Sequence, residues 1–535
     1  MKFSAGDFFG LAEYRRTSAG KWALRPIWRR ILIATAILCL VGYLALAGFL
    51  FLREHNLRKL ESTGFSEMLV YPFSGDVRRK QHKLYSDALI ESAKQSDDPY
   101  KTLNLVRQGL TQDASQPDGR IFYSYVLFLQ RRSRDALEFL LEGLDNERAL
   151  AHPEYIRFFT RQCVAHFEDE LLIEAANTFA GHEKISPKNR FALCAGAAQA
   201  EIALGKFSEA ERRLNTEPLA GTTSAVFLSA RIARERGDVR KSAGILLELR
   251  EQFKSPELDI IVAEDLRELG KNETALRFVD SALRNTKDSP EFLTRMIDVV
   301  SKIDLESARK RKIELENVFW ERYGNDVNAL EQFAMFAAER REEETVERCF
   351  RKADDSAFIN LPEFILIHLE TLLRSGNAVR AKAELDEIFR EKPGWFSDKE
   401  PILCGIRAAA LYACGEDSLG EIFLQTAQNS AQLTVPQTIA LARTLEENGN
   451  AMVALRFLES RQQIEPAHPT LLCAILDLAV RQKDSVTFAC HAPKLKKSRR
   501  PPYKALLRFL KFSESDHFVF YEKQAELVEF FERSL

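Results

Sequence analysis

Residues 186–214 have the sequence SPKNRFALCAGAAQAEIALGKFSEAERRL, which contains one complete unit of a pattern that recurs along the chain. The serine and Pro187 at its start suit the first turn of a helix, because the first amides of a helix have no partner within it and proline has no amide proton to lose. Gly205 suits the turn that follows, since glycine accepts left-handed backbone angles. Phe207 begins a second helix, and the small Ala210 lets the two helices approach closely. The stretch therefore predicts a helical hairpin.

Two series of residues repeat this hairpin along most of the chain. Prolines suited to the first turn of a leading helix recur at about 34 to 36 residues, or at about twice that distance, at Pro153, Pro187, Pro256, Pro290, Pro362, Pro401, Pro436 and Pro469. Glycines suited to the turns follow the same period, at Gly205, Gly237, Gly270, Gly376, Gly415 and Gly449. The residue five positions after each glycine is small, as close helix crossings require; these residues are Ala210, Ser242, Ala275, Ala381, Gly420 and Ala454.

Together these positions resemble the tetratricopeptide (TPR) repeat. The resemblance covers about residues 77–500, and it is strongest in three segments, which run from Gly205 through Phe207 to Ala210, from Gly270 to Ala275, and from Gly449 to the closing Pro466. It implies an all-α fold, a TPR-like α-solenoid of about eleven or twelve helical hairpins. Residues 501–535 are expected to form C-terminal capping helices. Two units lack the turn glycine, near Ile303–Ala308 and Arg341–Val346.

An uncharged segment precedes the repeats. Residues 1–30 form a basic tail with seven Lys or Arg against two acidic residues, although the whole chain has a net charge of −2. Residues 31–52 carry no charge, and as a helix they would extend about 33 Å, enough to cross a bilayer core of about 30 Å. We therefore predict one transmembrane helix, followed by a spacer over residues 53–76. The alternative is a signal peptide cleaved at Ala45-Leu46-Ala47, which fits poorly because its basic region would be unusually long.

The sequence contains no motif typical of catalysis or of a bound cofactor. It has no Gly-x-x-x-x-Gly-Lys-Ser/Thr loop, no His-Glu-x-x-His and no Gly-x-Ser-x-Gly. Cys490-His491 and Cys163 with His166 are close Cys–His pairs, but no matching ligand pair lies near them in the sequence, so we interpret them as packed side chains. The eight cysteines include no Cys-x-x-Cys spacing. We therefore expect no catalytic residue, no metal and no cofactor.

The resemblance to TPR repeats also indicates residues that would bind a partner. In that family the leading helices line a concave groove, and the positions six residues before the turn glycines would face it: Gln199, Arg231, Glu264, Glu370, Ala409 and Arg443. Their charges are mixed, and the Lys/Asn set with which chaperone-binding TPR domains hold a terminal carboxylate does not recur. We therefore expect a protein or peptide partner that is extended or of mixed charge. Arginine is enriched among interface hot spots, and the candidate binding residues are Arg231, Glu264, Glu370 and Arg443.

A second candidate surface is the basic run over residues 494–500. Its cations would contact an acidic partner or anionic lipid head groups, and the residues concerned are Lys496, Lys497, Arg499 and Arg500. The alternative is a solvated loop before Pro501. We expect no nucleic-acid partner, because no aromatic side chain is interleaved with the basic residues to stack on bases.

The combined pattern predicts a membrane-anchored scaffold for protein–protein interactions, similar to the bacterial anchored TPR proteins of envelope assembly or secretion. Within twenty residues of the apolar segment, six Lys or Arg precede it and three follow it, which favours a cytoplasmic N-terminus and an exported, periplasmic body. Seven cysteines in the body argue against export, since an oxidising compartment would tend to pair them. The alternatives are a membrane-tethered adaptor that faces the cytoplasm and an enzyme or regulatory subunit with an unrecognised site. The partner's identity and the oligomeric state stay open.

Overall fold

The computed structural model describes residues 7–8, 12–16, 22–57, 64–285, 289–353, 361–430, 432–466, 468–518 and 521–535. They divide into two compact units, Met1–Leu193 and Cys194–Leu535. Each unit is built mainly from helices that pack around apolar clusters. The structure confirms the predicted fold class, since the helices pair into successive TPR-like hairpins, although three short strands precede them.

These strands lie in the basic tail, where the sequence analysis predicted no structure. They form one antiparallel sheet in the order β1-β2-β3, with bounds β1 Asp7–Phe8, β2 Ala12–Arg16 and β3 Trp22–Pro26. In the register, Tyr14 lies opposite Leu24 and Arg16 lies opposite Trp22. Aromatic residues favour strands, and the tail lacks the apolar period of a helix.

Helix α1, Trp28–Leu52, contains the uncharged segment, and a π-helical turn, Arg53–Leu57, follows it. By length and composition the stretch Trp28–Asn56 suffices to cross a membrane, and only 6% of its most apolar window is buried. The end of α1 packs on the short helix α2, Phe65–Val70, where Ala47 and Leu50 surround the fully buried Met68. Part of the predicted spacer is therefore helical and packed against α1.

The remaining helices of the first unit form three hairpins and one short helix. Their bounds are α3 Gly75–Lys94, α4 Pro99–Gln112, α5 Pro117–Leu129, α6 Ser133–Gly143, α7 Glu147–Ala151, α8 Tyr155–Ala165 and α9 Asp169–Phe179. The pairs α3–α4, α5–α6 and α8–α9 are in contact. Helix α10, Pro187–Ala203, crosses the boundary between the units.

The second unit continues the alternation of a leading and a trailing helix. Its bounds are α11 Phe207–Leu214, α12 Thr223–Glu235, α13 Val239–Gln252, α14 Pro256–Glu268, α15 Asn272–Asn285, α16 Pro290–Ser301, α17 Glu306–Tyr323, α18 Val327–Glu339, α19 Glu343–Ala353, α20 Pro362–Arg374, α21 Ala378–Glu391, α22 Phe396–Ala413, α23 Asp417–Gln428, α24 Val435–Glu447, α25 Ala451–Ile464, α26 Pro469–Gln482, α27 Ser485–His491, α28 Tyr503–Ser513 and α29 Tyr521–Ser534. A 3₁₀ helix, Ala492–Lys497, follows α27. Even-numbered helices from α10 to α26 lead their hairpins, and odd-numbered helices trail.

Ten of the described hairpin turns share one backbone geometry. Gly205 has φ of +76°, and the amide of Lys206 donates to the carbonyl of Glu201 at 2.8 Å, which is the Schellman ending of a helix. The same left-handed conformation occurs at Gly237, Gly270, Gly376, Gly415 and Gly449 and also at the non-glycine residues Arg131, Phe167, Arg341 and Lys483. The unit near Ile303, which lacks the glycine, turns without a left-handed residue.

The position five residues after the turn is buried in each hairpin from α5 to α27. In eight hairpins a small residue occupies this position and is buried: Ala136, Ala210, Ser242, Ala275, Ala308, Ala381, Gly420 and Ala454. The other three hairpins have Leu172, Val346 and Phe488 there, each at most 1% exposed. The trailing helix therefore crosses its partner at this position.

Two proline predictions are wrong. Pro153 lies two residues before α8, which begins at Tyr155. Pro401 lies inside α22, which begins at Phe396 rather than at the proline. Leading helices do begin at Pro187, Pro256, Pro290, Pro362 and Pro469, and Pro466 follows the end of α25 as the closing proline. Pro401 is the sixth residue of α22 and lies beyond the amides that have no partner at a helix start, so the carbonyl of Ser397 receives no helical hydrogen bond from this position.

The end of the second unit packs against the turns of that unit's first hairpins. The amide of Arg500 donates to the carbonyl of Ala203 at 2.8 Å, and its guanidinium is 3.1 Å from Glu235 and 5.0 Å from the Phe207 ring. The Tyr503 ring covers Gly237, where a Cβ atom would overlap it. These contacts join residues about 265 positions apart in the sequence. The C-terminal segment of this unit therefore packs back on the turns of the unit's first hairpins and closes the second unit.

Candidate binding surface

The candidate site is built from the leading helices of the second unit, at the positions six residues before each turn. We call this the leading-helix surface and define it by Gln199, Arg231, Glu264, Met335, Glu370, Arg443 and Asp477. Gln199, Arg231 and Arg443 are exposed. Ala409, which was expected beside them, is fully buried and offers no surface to a partner.

Glu370 and Arg443 are near enough for the charge of Arg443 to influence Glu370, although they lie two hairpins apart. Burial raises the pKa of Glu370, the neighbouring cation Arg374 opposes this, and Glu447, Arg443 and Glu339 contribute smaller effects of both signs. The intervening helix α22 carries only Ala409 at the corresponding position, so α20 and α24 can approach each other. Sequence position alone therefore identified two residues of one charged cluster.

Arg374 and Glu447 form the buried base of this cluster. Arg374 Nε is 2.8 Å from Glu447 Oε2, and the two side chains are 7% and 19% exposed. Arg341 reaches the other carboxylate oxygen at 2.9 Å. Burial by itself would raise the pKa of Glu447, but the bonds from Arg374 and Arg341 outweigh it and lower that pKa. Glu447 thus stays ionised at neutral pH, whereas the surroundings of Glu370 disfavour its ionised form.

Charge also alternates along the first leading helices of this unit. Glu264 is half-buried, and its carboxylate is 3.8 Å from Arg295 of the next leading helix. The Arg295 guanidinium lies 5.9 Å from the Phe336 ring, and Met335 beside it is 52% exposed. Arg231 has no ion pair among the described residues. This part of the surface therefore combines apolar area with one cation available to a partner.

A small cavity of about 210 Å³ continues the surface between α24 and α26, with Arg443 on its rim. Asp477 of its lining pairs with Arg508 at 2.7 Å, and Arg481 binds the carboxylate of Glu446 through two nitrogens. Cys473 lies in the same lining, and burial raises its pKa to about 12. The thiol is therefore protonated at neutral pH and acts as an apolar wall rather than a nucleophile.

Sequence analysis missed Met335 and Asp477 because their turns contain no glycine. The turn residues are Arg341 and Lys483, which adopt the left-handed conformation with φ of +60° and +57°. Interpolating the period between the glycines would have found both. The residues six positions before them then complete the leading-helix surface.

The basic run does not form one exposed surface. Lys496 is exposed, and its amine lies 5.7 Å from the Phe530 ring. Arg499 is half-buried, and the side chain of Lys497 lies outside the described residues. Arg500 is 7% exposed and pairs with Glu235, and burial lowers its pKa. The expectation that Arg500 binds a partner is therefore wrong, since its guanidinium is used inside the protein.

The two Cys–His pairs have separate structural surroundings. The His491 ring is buried and is 2.8 Å from Glu459, while Cys490 is exposed. The His166 ring stacks on Phe128 at 4.7 Å, and burial raises the pKa of Cys163 well above its usual range. Among the described residues, no group of three His, Cys, Asp or Glu side chains could hold a metal ion.

Comparison with known proteins gives a likeness in architecture only. No protein-family model matches the sequence, and no curated protein matches it. The chain is similar to one in the structure of Naa15/Naa10 bound to HypK-THB, with 12% identity, a TM-score of 0.31, and coverage of 92% of this chain and 77% of that one. It is also similar to yeast Tom70, with 12% identity, a TM-score of 0.30, and coverage of 78% and 94% respectively. Scores this low assign no function to the chain.

Proposed function

We propose that this protein is a membrane-anchored scaffold that binds a partner protein along the leading-helix surface. The observation that carries the proposal is the row of exposed side chains at Gln199, Arg231, Met335 and Arg443, in which the two arginines have no ion pair among the described residues. Both arginines would gain from a partner of opposite charge. Hairpin arrays bind extended segments in such places.

The expected mechanism is binding without a chemical step. A partner segment of mixed charge would pair an acidic side chain with Arg443 and place a cation near Glu370, while Arg374 and Glu447 hold the base of the cluster rigid. Arg231 and Met335 would contact the same segment further along, through charge and apolar area respectively. Because the surface lacks a recurring Lys/Asn set, a free C-terminal carboxylate is not expected to dominate recognition.

The anchor would be the apolar helix Trp28–Asn56. The excess of Lys and Arg before the helix favours a cytoplasmic N-terminus, and long C-terminal domains follow the anchor across the membrane with little regard to their own charge. We therefore propose an exported, periplasmic body that acts in envelope assembly or secretion, as in the bacterial anchored TPR proteins that the sequence resembles.

One observation favours the second candidate, an adaptor that faces the cytoplasm. None of the eight cysteines forms a disulfide, and four of them are buried. Fusions of alkaline phosphatase and of green fluorescent protein after Leu535 separate the two candidates. Phosphatase activity without fluorescence supports export, whereas fluorescence without phosphatase activity supports the cytoplasmic adaptor.

Partner binding is tested by reversing charge on the leading-helix surface. The full chain is cross-linked in native membranes and purified, and its co-purifying proteins are quantified for the wild type, for Arg231→Glu/Arg443→Glu, and for Arg240→Glu/Arg277→Glu as a matched control. The control residues are exposed on the trailing helices α13 and α15. We expect the first variant alone to lose its partner. Equal retention in both variants would contradict the proposed surface.

A further inference from the structure

A second cavity lies on the opposite side of α20 from the leading-helix surface. It has a volume of about 640 Å³ and is lined by the trailing helices α19 and α21, by α20, and by the residues after α21. His368 and Glu370 are two residues apart on α20 and therefore point about 200° apart around its axis. The floor of this outer pocket is apolar and consists of Phe350, Ile365, Ile388, Pro393 and Trp395.

His368 forms part of the wall of the outer pocket. The His368 side chain is 4% exposed, its Nε2 is 3.2 Å from Glu384, and its ring stacks on Phe350 at 5.0 Å. Its Nδ1 is buried and makes no hydrogen bond with any residue that the structure describes. Glu384 and Phe350 therefore fix the position of the His368 ring in the wall of the pocket.

The pocket rim has an excess of negative charge. Four carboxylates, from Glu347, Glu384, Glu387 and Glu391, face two guanidinium groups, from Arg351 and Arg380. Arg380 is used internally, since it lies 2.6 Å from Glu347 and 3.1 Å from Glu384. Arg351 is 76% exposed and 3.6 Å from Glu347.

Two of these carboxylates are available to a ligand. Glu387 is exposed, and its partner Arg390 lies outside the pocket lining and is itself 72% exposed. Glu391 is exposed and has no ion pair among the described residues. An apolar floor with aromatic side chains below two accessible carboxylates suits a cation on an apolar stem.

We propose that the outer pocket binds a peptide segment of a partner protein that presents arginine or lysine beside an apolar residue. The cation would pair with Glu387 and Glu391, and the apolar neighbour would cover Ile365, Ile388 and Trp395. Since this pocket and the leading-helix surface lie on opposite sides of α20, the failure of one proposal leaves the other untouched.

The probe is the peptide Leu-Arg-Leu-Arg-Leu, acetylated and amidated, titrated into the full chain in a neutral detergent. The variant Glu387→Gln/Glu391→Gln removes the accessible charge without altering the interior. Its control, Glu248→Gln/Glu251→Gln, makes the same charge change at exposed positions of trailing helix α13. We expect the dissociation constant to rise about fivefold or more in the first variant, the scale of two partly screened charge contacts, and to stay unchanged in the control.

A companion peptide with both arginines replaced by glutamate should not bind. The proposal is overturned if the basic peptide fails to bind the wild type, if it binds the Glu387→Gln/Glu391→Gln variant as tightly as the wild type, or if the control variant loses as much affinity. Loss of affinity in Arg231→Glu/Arg443→Glu to the same extent would likewise place the peptide on the leading-helix surface instead.

Discussion

Replacing the turn glycine Gly237 with alanine tests whether the C-terminal segment closes the second unit. Gly237 and Gly376 have φ of +81° and +85°, so alanine at either position is strained by about 1 to 2 kcal/mol. At Gly376 an added Cβ atom meets nothing within 4 Å. At Gly237 it overlaps the Tyr503 ring, and displacing a packed ring adds about 1 to 3 kcal/mol. Gly237→Ala should therefore loosen α28, whereas Gly376→Ala should not.

Hydrogen exchange measured by mass spectrometry on the full chain gives the local readout. In Gly237→Ala the amides of α28 should exchange on the order of 5 to 150 times faster, because each 1.4 kcal/mol corresponds to about a factor of ten. In a Tyr503→Ala background the additional effect of Gly237→Ala on α28 should disappear. The reasoning is refuted if Gly237→Ala and Gly376→Ala change α28 equally, or if the extra effect persists without the Tyr503 ring.

Four further predictions follow from burial and charge. Ala210→Leu should overpack a helix crossing and lower the free energy of unfolding by about 1 to 3 kcal/mol. Glu209→Leu, at the exposed neighbouring position, should change that free energy little. Equal losses of stability in thermal unfolding of the two variants would contradict the repeat register. Glu447 has a lowered pKa in the folded protein, so its ionised form stabilises the fold at pH values above its ordinary pKa, and this stabilisation is lost as the pH falls through the pKa of the folded state. Glu447→Gln should therefore lower the melting temperature at neutral pH, and the difference from the wild type should disappear in acid. Glu370 has a raised pKa, so its ionised form opposes folding at neutral pH, and Glu370→Gln should leave the melting temperature unchanged or raise it there; a clear decrease would contradict the assignment. Arg500→Ala should release α28 in hydrogen exchange yet leave partner binding intact, and loss of the partner without faster exchange would restore the original expectation for this arginine.

The fold was largely predictable because the hairpins depend on local constraints. Glycine at the turn avoids the strain of a left-handed backbone, and a small residue five positions later permits the two helices to cross closely. Both requirements therefore recur in the sequence at the period of the hairpins. Arg131 and Phe167 adopt the same left-handed turn, but their residue types give no such signal. Hairpin packing compensates the moderate strain of a non-glycine residue there, and only the period would reveal these turns.

The candidate site was predictable in position but not in pairing. Counting back from the turns found Glu370 and Arg443, because helix geometry places equivalent positions on one face. Their electrostatic interaction across α22 depends on how successive hairpins are rotated, which the local sequence does not specify. Arg500 shows the same limit. A basic run looks the same in the sequence whether its side chains are solvated or buried in ion pairs, and the pairing of Arg500 with Glu235, about 265 positions away, is visible only in the structure.

The outer pocket was invisible in the sequence for a related reason. Glu387 and Glu391 look like ordinary exposed positions of a trailing helix, and His368 looks like a core histidine. Only the packing of α19 and α21 on α20 brings them together around one cavity.

Site-specific photo-crosslinking in native membranes tests the central claim most directly, that the leading helices bind a partner protein. A benzophenone amino acid is placed in the full chain at Gln199 or Arg443 on the leading-helix surface, and at Glu248 or Arg277 on exposed positions of trailing helices. We predict that one and the same protein is captured from the two leading-helix positions and not from the two trailing positions. Capture of that protein equally from both sets, or only from the trailing positions, would contradict the account.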